Sequence, residues 1–308
     1  MAYPPDRTLL RLLPSVLRAR DFHLYLEGGK RLTDLWRAGG KAVLGHKPPR
    51  VLGELKNAAE RGLFTSLPHP LERRFIKALG EFFPGRAFRL YSDDSSLQRA
   101  LEGAGFTGPF SDPAFPSRDD AARNSVTLTG GKPGVSLWRP FLEPSSDTVP
   151  YGLLIPILPW PLGPSVLVLE KSMEASFPPG ELIPPVLLAP AARSLYDLAA
   201  VMKTSGNGPS YPKITKALAG QKPEDAPAGT LAGMLWERRG IYITATAMNR
   251  EKYEALFRRF LEGGFLIPPS QEEPLILPLS MSPGEESKLS ELLGAELLVD
   301  KNNLTMLR

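Results

Sequence analysis

The 308-residue sequence has no cysteine and only three histidines, His23, His46 and His69. Without cysteine the chain forms no disulfide, builds no thiolate metal site and has no cysteine nucleophile. The three histidines lie far apart in the sequence and lack the short spacing that the ligands of a zinc site show. The sequence therefore indicates neither a disulfide scaffold nor a metal centre.

A long apolar run and a strong excess of charge are also missing. No apolar stretch is long enough to span a bilayer, and the basic N-terminal segment lacks the apolar centre and cleavage site of a secretory signal. Lysine and arginine number 37 against 33 aspartate and glutamate residues, a net charge of +4 that is spread along the chain. Because so mild an excess forms no basic patch, we expect a cytoplasmic protein that binds neither membranes nor nucleic acid.

Apolar patterns predict the main helices and strands. A helical pattern covers residues 6–18, interrupted by a proline, and two short strands follow that are joined at Gly28 and Gly29. In the middle of the chain, two continuous apolar runs, 153–158 and 166–169, show no alternation. Such runs predict buried strands of a parallel sheet.

A strand followed by a capped helix is predicted over residues 87–102. Residues 87–91 have the strand pattern, and Asp94 or Ser95 can cap a helix over 97–102.

Four motifs follow one another between Tyr25 and Leu101. They are Glu27-Gly28-Gly29-Lys30-Arg31, Gly45-His46-Lys47-Pro48-Pro49, Phe83-Pro84-Gly85 and Arg89-Leu90-Tyr91-Ser92. In order and spacing, this stretch resembles the N-terminal third of class III aminotransferases, and within them the glutamate semialdehyde aminomutase group. Near the other end of the chain, Phe265 to Glu273 resembles a C-terminal stretch of the same family.

The resemblance implies an α/β protein with fold type I of the pyridoxal phosphate (PLP)-dependent transferases. A large α/β domain, shortened in its middle, is expected over residues 50–235. A small α+β domain is expected from both termini, residues 1–49 and 236–308. Because members of the family place their active sites at a subunit interface, the resemblance also implies a homodimer.

The family's cofactor, PLP, requires a lysine for covalent attachment, a carboxylate at the pyridine nitrogen and a phosphate cup at a helix N-terminus. The residues aligned with the family's Ser-Gly-Thr-Glu-Ala cup are Ser92, Asp93, Asp94, Ser95 and Ser96. Aspartates thus replace the glycine and the threonine, and two carboxylates would repel a phosphate where the family provides neutral donors. The same aspartates can also act simply as caps that favour the helix dipole.

The other cofactor residues of the family have weaker counterparts. Glu170 aligns with the aspartate that contacts the pyridine nitrogen, and Thr230 resembles the threonine that reaches the phosphate across the dimer. The nearby lysines are Lys171 and Lys203, and neither has the sequence surroundings of the family's cofactor lysine.

Three hypotheses follow. The first is an aminotransferase-like protein whose cofactor site has degenerated; it carries no PLP and binds a small molecule or a protein partner. The second is a working PLP-dependent aminotransferase or aminomutase that uses Lys171 or another displaced lysine. The third is an unrelated enzyme site made from Asp93 and Asp94 with His46 or His69, which only the residue types support.

Overall fold

The structure, a computed structural model, describes residues 5–106, 110–115, 134–142, 152–206, 208–219 and 236–294. The chain divides into two compact units. The described residues of the first unit are Ala19–Phe22 and Arg37–Gly208, apart from the gaps. Those of the second unit are 5–18, His23–Trp36, 209–219 and 236–294, so that both ends of the chain contribute to it. The domain boundaries predicted at residues 50 and 235 remain predictions.

The described residues form eleven strands and eight α-helices. The strands are β1 (Val16–Arg20), β2 (His23–Leu26), β3 (Arg31–Asp34), β4 (Ala87–Tyr91), β5 (Val135–Trp138), β6 (Leu153–Pro156), β7 (Ser165–Leu169), β8 (Trp236–Arg239), β9 (Tyr242–Ala245), β10 (Phe265–Leu266) and β11 (Leu275–Ile276). The helices are α1 (Arg7–Leu10), α2 (Pro49–Glu60), α3 (Pro70–Gly80), α4 (Asp94–Gly103), α5 (Pro185–Ser205), α6 (Pro212–Ala219), α7 (Arg250–Glu262) and α8 (Pro283–Gly294).

The first unit is built around a four-stranded sheet with the order β4-β7-β6-β5. Alternate residues of β7 face opposite sides of the sheet. Val166 and Val168 pack in a core with side chains of α2, α3 and α5, while Leu167 and Leu169 pack in a second core with side chains of α4. The sheet therefore lies between two helical layers, which confirms the predicted α/β fold.

β6 pairs in parallel with β5, which agrees with the predicted parallel strands, but the relative direction of β6 and β7 corrects the rest of that prediction. The two strands are antiparallel, with Leu154 opposite Val168, and β7 is also antiparallel to β4. Only residues 157–164 connect β6 to β7. A parallel crossover needs a dozen or more residues, so this connection is too short for one.

The second unit contains strands from both ends of the chain. β2 and β3 form the predicted hairpin, in which Gly28 and Gly29 both have φ of +79°. β3 also pairs in parallel with β10, with Thr33 opposite Phe265. A separate sheet has the order β11-β9-β8.

The helix predicted over residues 6–18 is wrong in its second half. α1 ends at Leu10, and residues Val16–Arg20 form strand β1, the edge of a four-stranded sheet. Pro14 lacks an N–H and clashes with the preceding turn, so it ends the helical pattern. The residues after it then pair as an extended strand.

Candidate functional site

The candidate site lies where β4 ends and α4 begins. Asp93 is the N-cap of α4, and its Oδ1 accepts a hydrogen bond of 2.7 Å from the backbone N–H of Ser96. The cap is thus one residue earlier than the predicted Asp94 or Ser95. Because Asp93 is already bonded to the first turn, one N–H donor of the helix end is taken by the chain itself.

A second carboxylate, that of Glu181, reaches the same end of the helix. Its Oε2 accepts a hydrogen bond of 2.8 Å from the backbone N–H of Ser92. The hydrogen bonds from Ser92, together with one from Ser96, outweigh a small effect of burial and hold the pKa of Glu181 below its usual value. Glu181 is 89 positions away from Ser92 in the sequence, and no local pattern in the sequence indicated the contact.

Asp94 lies on the sheet side of the helix end. Ser165, at the start of β7, donates its hydroxyl to Oδ1 of Asp94 at 2.5 Å, and Nζ of Lys41 lies 3.6 Å from Oδ2. Burial alone would raise the pKa of Asp94, but nearby positive charge, including Lys41, and the Ser165 hydrogen bond lower it below 3.8. Asp94 is therefore a stably charged carboxylate with its own partners.

Lys41 follows a stretch of unusual backbone. Arg37, Ala38, Gly39 and Gly40 have φ of +51°, +50°, +69° and +103°. Residues with a Cβ rarely adopt this left-handed conformation, and runs of it are found where the surrounding structure enforces them. Here the left-handed stretch precedes Lys41, which reaches Asp94. The sequence analysis did not assign Lys41 to the site.

The remaining residues of the cup are serines, and Arg99 of α4 contacts one of them. The hydroxyls of Ser92 and Ser96 are 3.4 Å apart, and Nη2 of Arg99 donates to the Ser96 hydroxyl at 2.9 Å. Ser95 is exposed on the first turn of α4. Three carboxylates (Asp93, Asp94 and Glu181) thus face two cations (Lys41 and Arg99), a local balance of −1.

The structure does not bring Glu170 and Lys171 to this cup. In the antiparallel pairing of β4 and β7, Ser165 lies opposite Tyr91 and Leu169 lies opposite Ala87. Leu169, the last residue of β7, lies roughly 13 Å along the strand from Ser165. Glu170 and Lys171 follow Leu169, so they lie beyond the end of β7 that is far from the cup. There Glu170 lies 3.6 Å from Nη1 of Arg86.

The other residues singled out from the sequence also lie elsewhere. Lys203 is exposed near the end of α5, and Thr230 lies outside the described residues. His69 caps α3 through its Nδ1, and the backbone N–H of His46 donates to the carbonyl of Asp21. Among the residues that the structure describes, no group of three or more acidic or histidine side chains could hold a metal ion.

The helices within the described ranges are all too short or too polar to cross a bilayer.

No family model matches the chain. An uncharacterized protein of Treponema pallidum is 27% identical over 304 residues, which cover 88% of this chain and 91% of that protein. A glutamate-1-semialdehyde 2,1-aminomutase of Clostridium acetobutylicum is 36% identical, but only over 64 residues, which are 21% of this chain and 15% of the aminomutase. The sequence resemblance to the aminomutases is therefore a partial one.

Among solved structures, an ornithine aminotransferase from Toxoplasma gondii superposes with a TM-score of 0.62 at 13% identity. The match covers 94% of this chain and 90% of that chain, whose active site is described as partially occupied by PLP. Other matched structures are also aminotransferases or transaminases. The chain therefore has the fold of the PLP-dependent aminotransferases, fold type I.

Proposed function

We propose that this chain is an aminotransferase-like protein with a degenerate cofactor site, which does not act as a transaminase and binds a small molecule or a protein partner instead. The observation that carries the proposal is the separation of the aligned cofactor residues. Glu170 and Lys171 lie at one end of β7, while Ser165, at its other end, contacts the cup. One PLP molecule needs the lysine, the carboxylate and the cup together.

The cup itself does not fit a phosphate. A phosphate monoester carries a charge of about −1.5 to −2 at pH 7. One carboxylate at about 4 Å from a unit negative charge costs on the order of 4 kcal/mol at an effective dielectric of 20, before screening. Lys41 and Arg99 offset part of this repulsion, but three carboxylates outnumber them. The N–H groups of Ser92 and Ser96 are also already bonded to carboxylates.

The test is to incubate the purified protein with excess PLP, reduce it with borohydride and map the modified lysines by mass spectrometry. We expect sparse labelling scattered over surface lysines and no turnover of amino donors. The matched control is a Lys171→Arg variant, which should give the same pattern. Stoichiometric labelling of a single lysine together with turnover would refute the proposal.

A working enzyme with a displaced lysine is the second candidate, and one contact favours it. Lys41 lies 3.6 Å from Asp94 and reaches the cup, which Lys171 does not. If the protein is an active PLP enzyme, the labelled residue should therefore be Lys41. A Lys41→Arg variant, which keeps the charge beside Asp94 but forms no imine with an aldehyde, should then lose both the label and the turnover.

We also propose that the protein is a homodimer. The class III aminotransferases that the sequence resembles place their active sites at a subunit interface, and Phe64 and Leu67, between α2 and α3, are 60% and 61% exposed. Light scattering at micromolar concentration should give twice the chain mass of 33.7 kDa. A monomer under these conditions would contradict the proposal.

A further inference from the structure

We infer that the chain supplies its own anion to the phosphate cup: the Glu181 carboxylate, carried by residues 180–183, blocks phosphate from the entrance of α4. The inference rests on the proposed function and deepens it, because it identifies the group that would have to leave before a phosphate monoester could bind. We call residues 180–183 the strap. Three sets of contacts support this assignment.

The strap lies along an exposed sheet edge. β4 is the edge strand of its sheet, and the backbone N–H of Glu181 donates to the carbonyl of Leu90 at 2.7 Å. The strap thus satisfies a backbone acceptor that an edge strand would otherwise leave to solvent. This backbone bond fixes Glu181 beside the last residues of β4.

A glycine and an apolar anchor hold the strap close. A Cβ on Gly180 would lie 2.9 Å from the nitrogen and 3.0 Å from the oxygen of Leu90, so only glycine permits this approach. Ile183, 1% exposed, packs in the core shared by α3 and α5. Because both ends of the strap are fixed, the backbone of Glu181 is held beside the end of β4.

The side chain then completes an anion contact. Oε2 of Glu181 accepts from the backbone N–H of Ser92 at 2.8 Å. Ser92 is the residue that aligns with the first serine of the family's phosphate cup. A carboxylate in this position uses the same type of donor that a phosphate oxygen would use.

Removal of Glu181 changes the charge balance at the cup. Asp93 and Asp94 then face Lys41 and Arg99, two charges of each sign, and the N–H of Ser92 is released. A phosphate would meet one carboxylate fewer and one donor more. The Glu181→Ala variant should therefore bind inorganic phosphate more tightly than the unchanged protein does.

The experiment titrates inorganic phosphate into the full chain and its Glu181→Ala variant, followed by calorimetry and by the phosphate-induced rise in Tm. We expect affinity for phosphate to rise tenfold or more in the variant. The matched control is Glu60→Ala, which removes the same charge from an exposed position at the end of α2 and should behave like the unchanged protein. Circular dichroism confirms that each variant is folded.

A second readout follows the contact directly. Amide hydrogen exchange at Ser92 should become faster in Glu181→Ala and stay unchanged in Glu60→Ala. A Gly180→Ala variant, which pushes the strap off β4, should accelerate the same amide and also gain phosphate affinity. A folded Glu181→Ala protein with unchanged phosphate affinity, or with unchanged exchange at Ser92, would overturn the inference.

These outcomes are separate from a failure of the proposed function. Inorganic phosphate has no aldehyde, so it reports on the strap alone. Covalent PLP on a lysine of the unchanged protein would refute the degenerate site, whatever the phosphate titration shows.

Discussion

Of the described helix entrances that hold a glutamate carboxylate, those of α4 and α8 do so differently. At α4, Glu181 is exposed and reaches Ser92 from a distant part of the chain. At α8, Glu285 belongs to the helix itself, and its side chain is only 17% exposed. The Glu181 carboxylate occupies a position that another anion could take, whereas the Glu285 carboxylate stabilises the second unit.

Glu285 is the better connected of the two. It forms a capping box, in which Ser282 donates to Oε2 of Glu285 and the backbone N–H of Glu285 donates to Oγ of Ser282. It also bonds to His23 at 2.7 Å, Thr33 at 3.1 Å and Arg31 at 3.3 Å. The carboxylate thus fastens the N-terminal hairpin to a C-terminal helix within the second unit.

The largest effect that we expect comes from a buried pair in the first unit, behind the α4 entrance. Arg139 donates two hydrogen bonds, of 2.7 and 2.6 Å, to Asp112, and both side chains are 3% exposed. Arg139 also contacts the carbonyl of Gly39, two residues before Lys41. Asp112→Ala removes a doubly hydrogen-bonded counter-charge from a buried guanidinium and should cost about 3–5 kcal/mol of unfolding free energy in urea.

The control for the buried pair is Glu102→Ala, which removes an exposed carboxylate from the end of α4 and should cost less than about 0.5 kcal/mol. A cost below about 1 kcal/mol for Asp112→Ala would show that the pair does not support the left-handed stretch before Lys41.

The next effect concerns Glu285. Burial alone would raise the pKa of Glu285, but hydrogen bonds from Ser282 and His23 outweigh it and lower the pKa from 4.5 to about 2. At about 1.4 kcal/mol per pH unit, a lowering from 4.5 to about 2 corresponds to about 3.5 kcal/mol. Screening by solvent at this partly exposed carboxylate reduces the contribution to about 2–3 kcal/mol. Glu285→Gln should lose about 2 kcal/mol in urea unfolding at pH 7, whereas Glu291→Gln, on an exposed turn of the same helix, should change little.

The same carboxylate gives a pH dependence with a defined sign. A lowered pKa in the folded state means that the stabilisation is complete above the unfolded value of 4.5 and is lost as the pH falls towards about 2. The difference in unfolding free energy between the unchanged protein and Glu285→Gln should therefore shrink across this window. A difference that stays constant from pH 6 to about pH 2.5 would show that the pKa of Glu285 is not lowered.

The contrast between the two entrances also shows what could be read from the sequence. The capping box at Ser282 and Glu285 and the strand at Ala87–Tyr91 follow local patterns, and the structure contains both. Glu181, Lys41 and Ser165 reach the cup over 89, 53 and 71 positions, and local rules carry no information at that range.

The direction of strand β7 is the second feature that the sequence did not predict correctly. Apolar content alone predicted β6 and β7 as parallel, and the direction of β7 decides where Glu170 lies. The length of the connection, residues 157–164, contained the missing signal. A cofactor site that depends on several strand ends therefore cannot be assembled from motifs without the topology.

The smallest expected effect lies in the stability of the strap itself. Because Glu181 is exposed, Glu181→Gln should change the unfolding free energy by no more than about 0.5 kcal/mol. Gly180→Ala should cost more, since its Cβ would contact the backbone of Leu90 at 2.9 Å, and overpacking of this kind typically costs about 1–3 kcal/mol. Urea unfolding of both variants at pH 7 measures the two values. If Glu181→Gln cost as much as Glu285→Gln, the Glu181 carboxylate would stabilise the fold as Glu285 does. Phosphate could then not displace it without unfolding the strap.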